Sequence, residues 1–165
     1  MPINYLKPEC RSESSKPRFG VCDDPPPASN PAYIDENSPV KWIAIVNNPN
    51  NHNVYFYAID NCVDVFRPNG GMESRCDGVL QEGSRLIFIE LKKRESGQWL
   101  KKGREQLTTT IVLFKQNHNM AEFTSVEAYV CNSLRPNFYS GQAGNMQQFK
   151  NDTGYILRGQ QIVNI

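Results

Sequence analysis

The hydrophobic positions of this chain fall in short runs, rich in β-branched and aromatic residues, that are separated by Asn, Gly and Pro. Such runs predict β-strands joined by turns. The first two, VKWIAIVNN (residues 40–48) and VYFYAI (54–59), flank the segment PNNHN. Because Asn is a good turn former, we predict that these two strands form a β-hairpin. The pattern of the next stretch, 59–71, fits either a short helix or a strand.

A second hairpin is predicted around the Gly-Ser pair at 83–84, between two apolar runs at 76–82 and 85–91. Gly in the first position of a two-residue loop suits a type II′ turn. A turn at this place pairs residues whose numbers add up to 167, so Asp77 is expected to lie opposite Glu90. The second run is apolar on both faces, which is typical of a central strand that is covered on both sides.

The pattern changes to a helical period after this hairpin, and it predicts an α-helix over residues 98–115. A further strand is expected at 123–132, a short helix at 142–150, and a final strand or hairpin at 155–165. These elements together predict an α/β (α+β) domain in which a mixed sheet of about five or six strands is flanked by helices. The helical period is carried by Leu100, Gly103, Leu107, Thr110 or Ile111, and Phe114.

The N-terminal segment is marked by proline: eight of the eleven prolines lie in residues 1–39. Proline fixes φ and removes a backbone donor, so we predict that this segment is an extended arm or an irregular wrap, without helix or sheet. The remaining residues, 40–165, are numerous enough to form a single domain with a core of its own.

Composition narrows the class of protein. The chain has 165 residues, of which 39% are hydrophobic and 21% charged, as expected of a globular protein. It has no apolar run of the roughly 18–20 residues that span a membrane and no apolar leader at its start. Its five cysteines include no CxxC pair. We therefore expect reduced thiols in a cytoplasmic protein, without disulfides or a cysteine zinc site.

The net charge of +1 includes a local basic patch. Residues 85–104 hold seven Lys and Arg against two Glu, a local charge of +5, whereas the rest of the chain sums to −4. A basic patch alone is most often a solvated surface. This one surrounds carboxylates, so it also fits contact with a phosphate backbone.

Three side chains of the second hairpin favour metal chemistry. Opposed residues have Cβ atoms about 4.5–5.5 Å apart, which brings Asp77 and Glu90 together, and Lys92 shares the face of Glu90. Two close carboxylates repel unless a cation lies between them, and Mg²⁺ prefers oxygen ligands. Lys92 is placed to orient a water molecule or to stabilise charge on a phosphate. The structural alternative is an ordinary salt bridge between Glu90 and Lys92, Lys93 or Arg75.

The order of these residues resembles the core of the PD-(D/E)XK nuclease superfamily. Asp77 precedes a tight turn, and Glu90 and Lys92 follow it at the end of an apolar strand. Gln106, on the next helix, is similar to the glutamine motif of the exonuclease-like branch. The resemblance implies a restriction-endonuclease-like core, catalysis with Mg²⁺ or Mn²⁺, and cleavage of DNA or, less often, RNA.

The resemblance covers residues 76–131 and departs from the superfamily pattern at Cys76, where many members have Pro. Members often add a metal ligand from an upstream acid, for which Glu73 is the nearest candidate. The alternatives are Asp60, Asp64 and Glu36. The candidate catalytic residues are Asp77, Glu90, Lys92 and Gln106, and the candidate metal ligands are Asp77, Glu90 and Glu73.

Further contacts are predicted around this core. A polar loop with Tyr139 and Gln142 is a candidate border of the site. A chain of this length has little room for a separate sequence-reading domain, so we expect a homodimer or recruitment by a partner protein, and no membrane association. The candidate phosphate-binding residues are Lys93, Arg94, Lys101, Lys102 and Arg104.

The leading hypothesis is a metal-dependent nuclease that hydrolyses DNA phosphodiester bonds in prokaryotic defence or DNA processing, with activity switched on by a partner protein. The alternative is an inactive nuclease-fold adaptor that binds nucleic acid or a partner. A metal-free acid/base enzyme is a weaker third hypothesis, because it gives the basic patch no role.

Overall fold

The computed structural model describes residues 2–137 and 142–165. Within these residues the chain forms two α-helices and ten strands, which build one six-stranded and one four-stranded sheet. In chain order the elements are β1 (Arg11–Ser14), β2 (Arg18–Cys22), β3 (Tyr33–Asp35), β4 (Ala44–Asn47), β5 (Val54–Ala58), β6 (Gly78–Glu82), β7 (Arg85–Lys92), α1 (Trp99–Asn117), β8 (Ser125–Asn132), α2 (Ala143–Thr153), β9 (Leu157–Gly159) and β10 (Ile162–Asn164).

The larger sheet has the strand order β1-β5-β6-β7-β8-β9. Its strands are antiparallel from β1 to β7, and β7, β8 and β9 are parallel to one another. Every residue of β7 from Leu86 to Leu91 is buried, which confirms a central strand covered on both faces. The predicted α+β class and mixed sheet are therefore confirmed, whereas the second sheet was not predicted.

The hairpin of β6 and β7 has the predicted register. Gly78 pairs with Ile89, and Glu82 pairs with Arg85, so the paired numbers add up to 167. In the turn between the strands the positive φ is confined to Gly83, at +56°, as a type II′ turn requires. This register brings Asp77, the residue before β6, next to Glu90 of β7.

Helix α1 confirms the helix predicted over residues 98–115, and it forms the crossover between the parallel strands β7 and β8. Its apolar face packs on both strands. Gly103 lies so close to the sheet that a Cβ there would be 2.9 Å from Val130 Cγ2. A small residue at this position lets the helix approach the end of β7 that carries Glu90.

Two pairings predicted from neighbourhood in sequence are wrong. Strands β4 and β5 do not form a hairpin, because β4 pairs with β2 and β10 in the smaller sheet, whereas β5 pairs with β1 and β6 in the larger one. The C-terminal strands likewise separate, β9 into the larger sheet and β10 into the smaller. Residues 59–65 form a turn and coil in place of a helix or strand.

The prediction of an N-terminal arm without helix or sheet is also wrong. Residues 1–39 contribute β1 to the larger sheet and β2 and β3 to the smaller one. The prolines stand between these strands, where their missing donors disrupt no ladder. Phe19 and Val21 of β2 are fully buried, so this segment supplies part of the core.

Two of the five cysteines are bonded, so the expectation of reduced thiols is wrong for them. Cys10 directly precedes β1, and Cys62 follows β5; the pairing of these strands brings their Cα atoms to 6.0 Å, and a disulfide joins them. Cys22, Cys76 and Cys131 are free and buried. Neither α1 nor α2 has the length and hydropathy that a membrane-crossing helix needs.

Candidate active site

The hairpin register places the carboxyl groups of Asp77 and Glu90 side by side in the interior. Asp77 is 8% exposed and Glu90 3%. The Asp77 amide donates to Glu90 Oε2 at 3.2 Å, and the Leu91 amide donates to Asp77 Oδ2 at 2.7 Å. These two hydrogen bonds join Asp77, directly before β6, to β7, and they hold both carboxyl groups at one end of the hairpin.

Lys92 and Gln106 complete this cluster. Lys92 Nζ lies 3.0 Å from Glu90 Oε1 and donates to Gln106 Oε1 at 2.8 Å. Gln106 Nε2 donates in turn to the backbone oxygen of Arg75 at 3.3 Å. The structure therefore brings Asp77, Glu90, Lys92 and Gln106 into one connected group, which we call the carboxylate cluster.

A buried threonine fixes the helix against the start of β6. The Cys76 amide donates to Thr110 Oγ1 at 2.8 Å, and the Thr110 hydroxyl donates to the Gln106 backbone oxygen at 3.0 Å. Thr110 is 1% exposed. Sequence reasoning gave Thr110 or Ile111 as a member of the helical period of α1, but it did not see that Thr110 positions the residue before Asp77.

Burial dominates the electrostatics of the two acids. It raises the pKa of Asp77 well above its usual value, and the charge of Glu90 raises it further. Burial also raises the pKa of Glu90, to about 7, against the opposing effect of Lys92. Burial thus favours the protonated form of both carboxyl groups, and Lys92 opposes this only in part, so a further cation beside the pair would favour the ionised form.

The raised pKa of Glu90 predicts a pH-dependent stability. The pKa of Glu90 is raised from 4.5 to about 7 on folding, so folded Glu90 binds a proton over a range where the unfolded chain has lost it. The contribution of Glu90 to the free energy of unfolding should therefore fall as pH rises from about 4.5 to about 7, by about 3 kcal/mol. Urea denaturation of the wild type and Glu90→Gln across this range measures the difference. Equal pH dependence in the two proteins would contradict the assignment.

The carboxylate cluster forms part of the wall of a cavity of about 970 Å³. Ser133 and Leu134, which follow β8, border it on the larger sheet. The smaller sheet contributes residues 23–26 after β2 and 39–43 before β4. The cavity thus lies where the ends of the two sheets meet, and it is wide enough to admit a small substrate.

The residues that line the cavity include two of the three predicted metal ligands, Asp77 and Glu90, but not the third. Glu73 does not line it; its carboxylate accepts from Arg67 Nε at 3.2 Å and from the Ser74 amide at 2.9 Å. Asp60, one of the alternatives, lines the cavity and pairs with Arg75 at 2.9 Å. The other two alternatives, Asp64 and Glu36, do not line it.

Asp23 also lines the cavity, and sequence reasoning missed it. The available signal was its place directly after the short apolar run Phe19–Cys22. Burial raises its pKa, and the charges of Asp60 and Asp24 raise it further, so these three acids form one neighbourhood.

Two of the five predicted phosphate-binding residues, Lys93 and Arg94, line the main cavity. Buried Asn132 holds the backbone of Arg94: its Oδ1 accepts from the Arg94 amide at 3.2 Å, and its Nδ2 donates to the Arg94 oxygen at 2.8 Å. Sequence reasoning did not single out Asn132.

The other three basic candidates lie on α1 outside the main cavity. Lys101 lines a smaller cavity of about 250 Å³, which Gln142 also borders. Arg104 Nη2 lies 3.5 Å from Glu105, and Lys102 is exposed. Tyr139 lies outside the described residues.

The donor set fits a hard divalent cation. No group of three or more His, Cys, Asp or Glu side chains suited to metal binding occurs in residues 2–137 and 142–165. Mg²⁺, however, is commonly bound through one or two carboxylates and completes its shell with water and substrate phosphate. Asp77 and Glu90 provide two carboxylates of this kind at the wall of the cavity.

Comparison with known proteins gave no match: none of the protein-family models, curated proteins or solved structures searched is similar to this chain.

Proposed function

We propose that the protein is a metal-dependent nuclease that hydrolyses DNA phosphodiester bonds. The observation that carries the proposal is the single connected group of Asp77, Glu90, Lys92 and Gln106 at the wall of a cavity. Paired carboxylates with an adjacent ammonium group, bordered by basic residues, suit a substrate that is an anion and gains charge during reaction.

The proposed roles follow from the contacts. Asp77 and Glu90 hold Mg²⁺, which when bound supplies Lewis-acid stabilisation of the phosphate oxygens and makes water more acidic. Lys92 orients the attacking water and stabilises negative charge beside Glu90. Gln106 keeps the ammonium group of Lys92 in place through its 2.8 Å hydrogen bond. Lys93 and Arg94 hold the phosphate backbone.

The first experiment measures metal binding and cleavage together. Mg²⁺ and Mn²⁺ are titrated calorimetrically into the wild type and Asp77→Asn, beside cleavage assays on supercoiled plasmid and circular single-stranded DNA. We expect binding by the wild type, cleavage that EDTA abolishes, and loss of binding in Asp77→Asn, because the variant lacks one of two anionic ligands. Asp152→Asn, an exposed change on α2, is the matched control.

The outcomes separate the hypotheses. Absence of metal binding in the wild type would overturn the metal site. Metal binding without cleavage of either substrate would overturn the proposed activity for the isolated chain and leave a partner-gated enzyme.

The second candidate is a catalytically inactive adaptor that binds nucleic acid. The observation that favours it is that the described residues contain no group of three or more His, Cys, Asp or Glu side chains suited to metal binding, whereas many metal sites have such a group. Retained affinity for nucleic acid in EDTA, with no cleavage of any substrate in Mg²⁺ or Mn²⁺, would establish the adaptor.

A further inference from the structure

The main cavity is acidic on one side and basic on the other. The strand order of the larger sheet sets this arrangement: Asp60 follows β5, Asp77 precedes β6, and Lys92 ends β7, directly before Lys93 and Arg94. The smaller sheet adds Asp23 and Asp24 on the acidic side, where the charge of Asp60 influences Asp23, and it also adds one lysine, Lys41. The carboxylate cluster contributes Asp77 to the acidic side and Lys92 to the basic side.

The wall that the smaller sheet provides is anchored. The indole Nε1 of Trp42 donates to Asp35 Oδ2 at 2.8 Å. The Trp42 ring covers Gly20 so closely that a Cβ at Gly20 would lie 1.9 Å from Trp42 Cγ. On the same wall, the Tyr33 hydroxyl donates to Asp24 Oδ1 at 2.8 Å. The width of the cavity is therefore set by packed structure.

Two exposed apolar side chains border the same cavity. Val40 is 94% exposed, and Leu134 is 42% exposed. Val40 comes from the anchored wall before β4, and Leu134 comes from the turn after β8. A single strand leaves the faces of its bases accessible to apolar contact, whereas a duplex stacks them against one another.

We infer that the substrate is single-stranded DNA, with its one phosphate backbone along Lys93 and Arg94 and its bases against Val40 and Leu134. This inference rests on the proposed nuclease function. A duplex would bring a second phosphate backbone towards Asp23, where like charges repel.

The size of the cavity agrees with this substrate class. Its 970 Å³ lies at the upper end of the range, about 300–1,000 Å³, of pockets that enclose one drug-sized molecule. That volume accommodates a short stretch of one strand.

The test compares the affinity of the full chain for a fluorescent single-stranded DNA, the same strand in a duplex, and the same sequence as RNA. Fluorescence anisotropy in EDTA measures binding without cleavage. We expect single-stranded DNA to bind at least about tenfold more tightly than the duplex, because the duplex places like charges together. Asp23→Asn should strengthen duplex binding more than single-strand binding.

Two side-chain changes test the placement of the strand. Lys93→Ala should lower the slope of log affinity against log salt by about 0.7, the loss of one phosphate contact on a single strand. Val40→Ser should weaken single-strand binding about tenfold through lost apolar contact. The matched controls, Lys150→Ala and Ile156→Ser, change exposed residues outside the cavity and should alter neither quantity.

Equal or tighter binding of the duplex would overturn the inference, and so would tighter binding of RNA or failure to bind any of the three ligands. The proposed function fails separately. A chain that selects single-stranded DNA in EDTA but cleaves nothing in Mg²⁺ refutes the nuclease and keeps the binding preference. A chain that cleaves both DNA forms equally keeps the nuclease and refutes the preference.

Discussion

Replacing Lys92 with Met is expected to lower the rate of DNA cleavage about a hundred- to a thousandfold, the usual effect of removing one group that stabilises transition-state charge. Met keeps the length of the side chain but loses the ammonium group that lies 3.0 Å from Glu90 and 2.8 Å from Gln106. Single-turnover cleavage of circular DNA in Mg²⁺ measures the rate.

Two further readouts separate this role from a structural one. Lys92 lowers the pKa of Glu90, so without it the acid limb of the pH–rate profile should move to higher pH. Calorimetry should show Mg²⁺ binding that is retained or tighter, because a positive charge next to the two carboxylates is gone. Lys150→Met, on the exposed face of α2, is the control. A wild-type rate in Lys92→Met would exclude the lysine from the chemistry.

Gly78→Ala is expected to lower the free energy of unfolding by about 3 kcal/mol, at the upper end of the cost of overpacking a core. A Cβ at Gly78 would lie 2.3 Å from Phe56 Cζ and 2.5 Å from the backbone oxygen of Tyr57. Phe56 is fully buried, and a backbone oxygen in the centre of the sheet cannot move away cheaply. Urea denaturation measures the loss.

The matched control is the same substitution where the added methyl group meets nothing. Gly144 lies in α2 with no neighbouring atom within 4 Å of its would-be Cβ, so Gly144→Ala should raise stability by about 0.5 kcal/mol. A rise in stability in both variants would show that conformational entropy, and not packing, governs position 78.

The parts of the fold that local pattern predicted are those whose partners are near in sequence. Strands β6 and β7 are joined by two residues, and α1 links β7 to the next strand of the same sheet, so alternation, turn chemistry and helical period sufficed. The prediction that β4 pairs with β5 is wrong because the partners of β4, strands β2 and β10, come from distant parts of the chain. The local sequence of two neighbouring apolar strands does not indicate which sheet each strand will join.

The residues of the candidate site likewise divide into those that local sequence predicts and those that depend on distant pairings. Asp77, Glu90 and Lys92 were placed by counting from the turn at Gly83, because register fixes both opposition and face. Asp23 was not predicted, since it reaches the cavity only through the pairing of β2 with β4. The upstream acid was chosen by nearness in sequence, and the contact of Glu73 with Arg67 takes it out of the cavity.

The Cys10–Cys62 bond has the same explanation. Counting cysteines and searching for CxxC pairs finds local metal motifs, but it does not find two cysteines 52 positions apart. The pairing of β1 with β5 brings them together, and that pairing lies in the segment whose prolines concealed its strands.

The two-residue turn at Gly83 and Ser84 makes the number of residues between the two acids as important as their identity. An inserted residue there would advance one strand by a single step and carry Asp77 to the opposite face of the sheet from Glu90. Substitutions in the turn that keep its φ angles leave the register of the two strands unchanged. The loop is therefore expected to accept changes of sequence in related chains far more readily than changes of length.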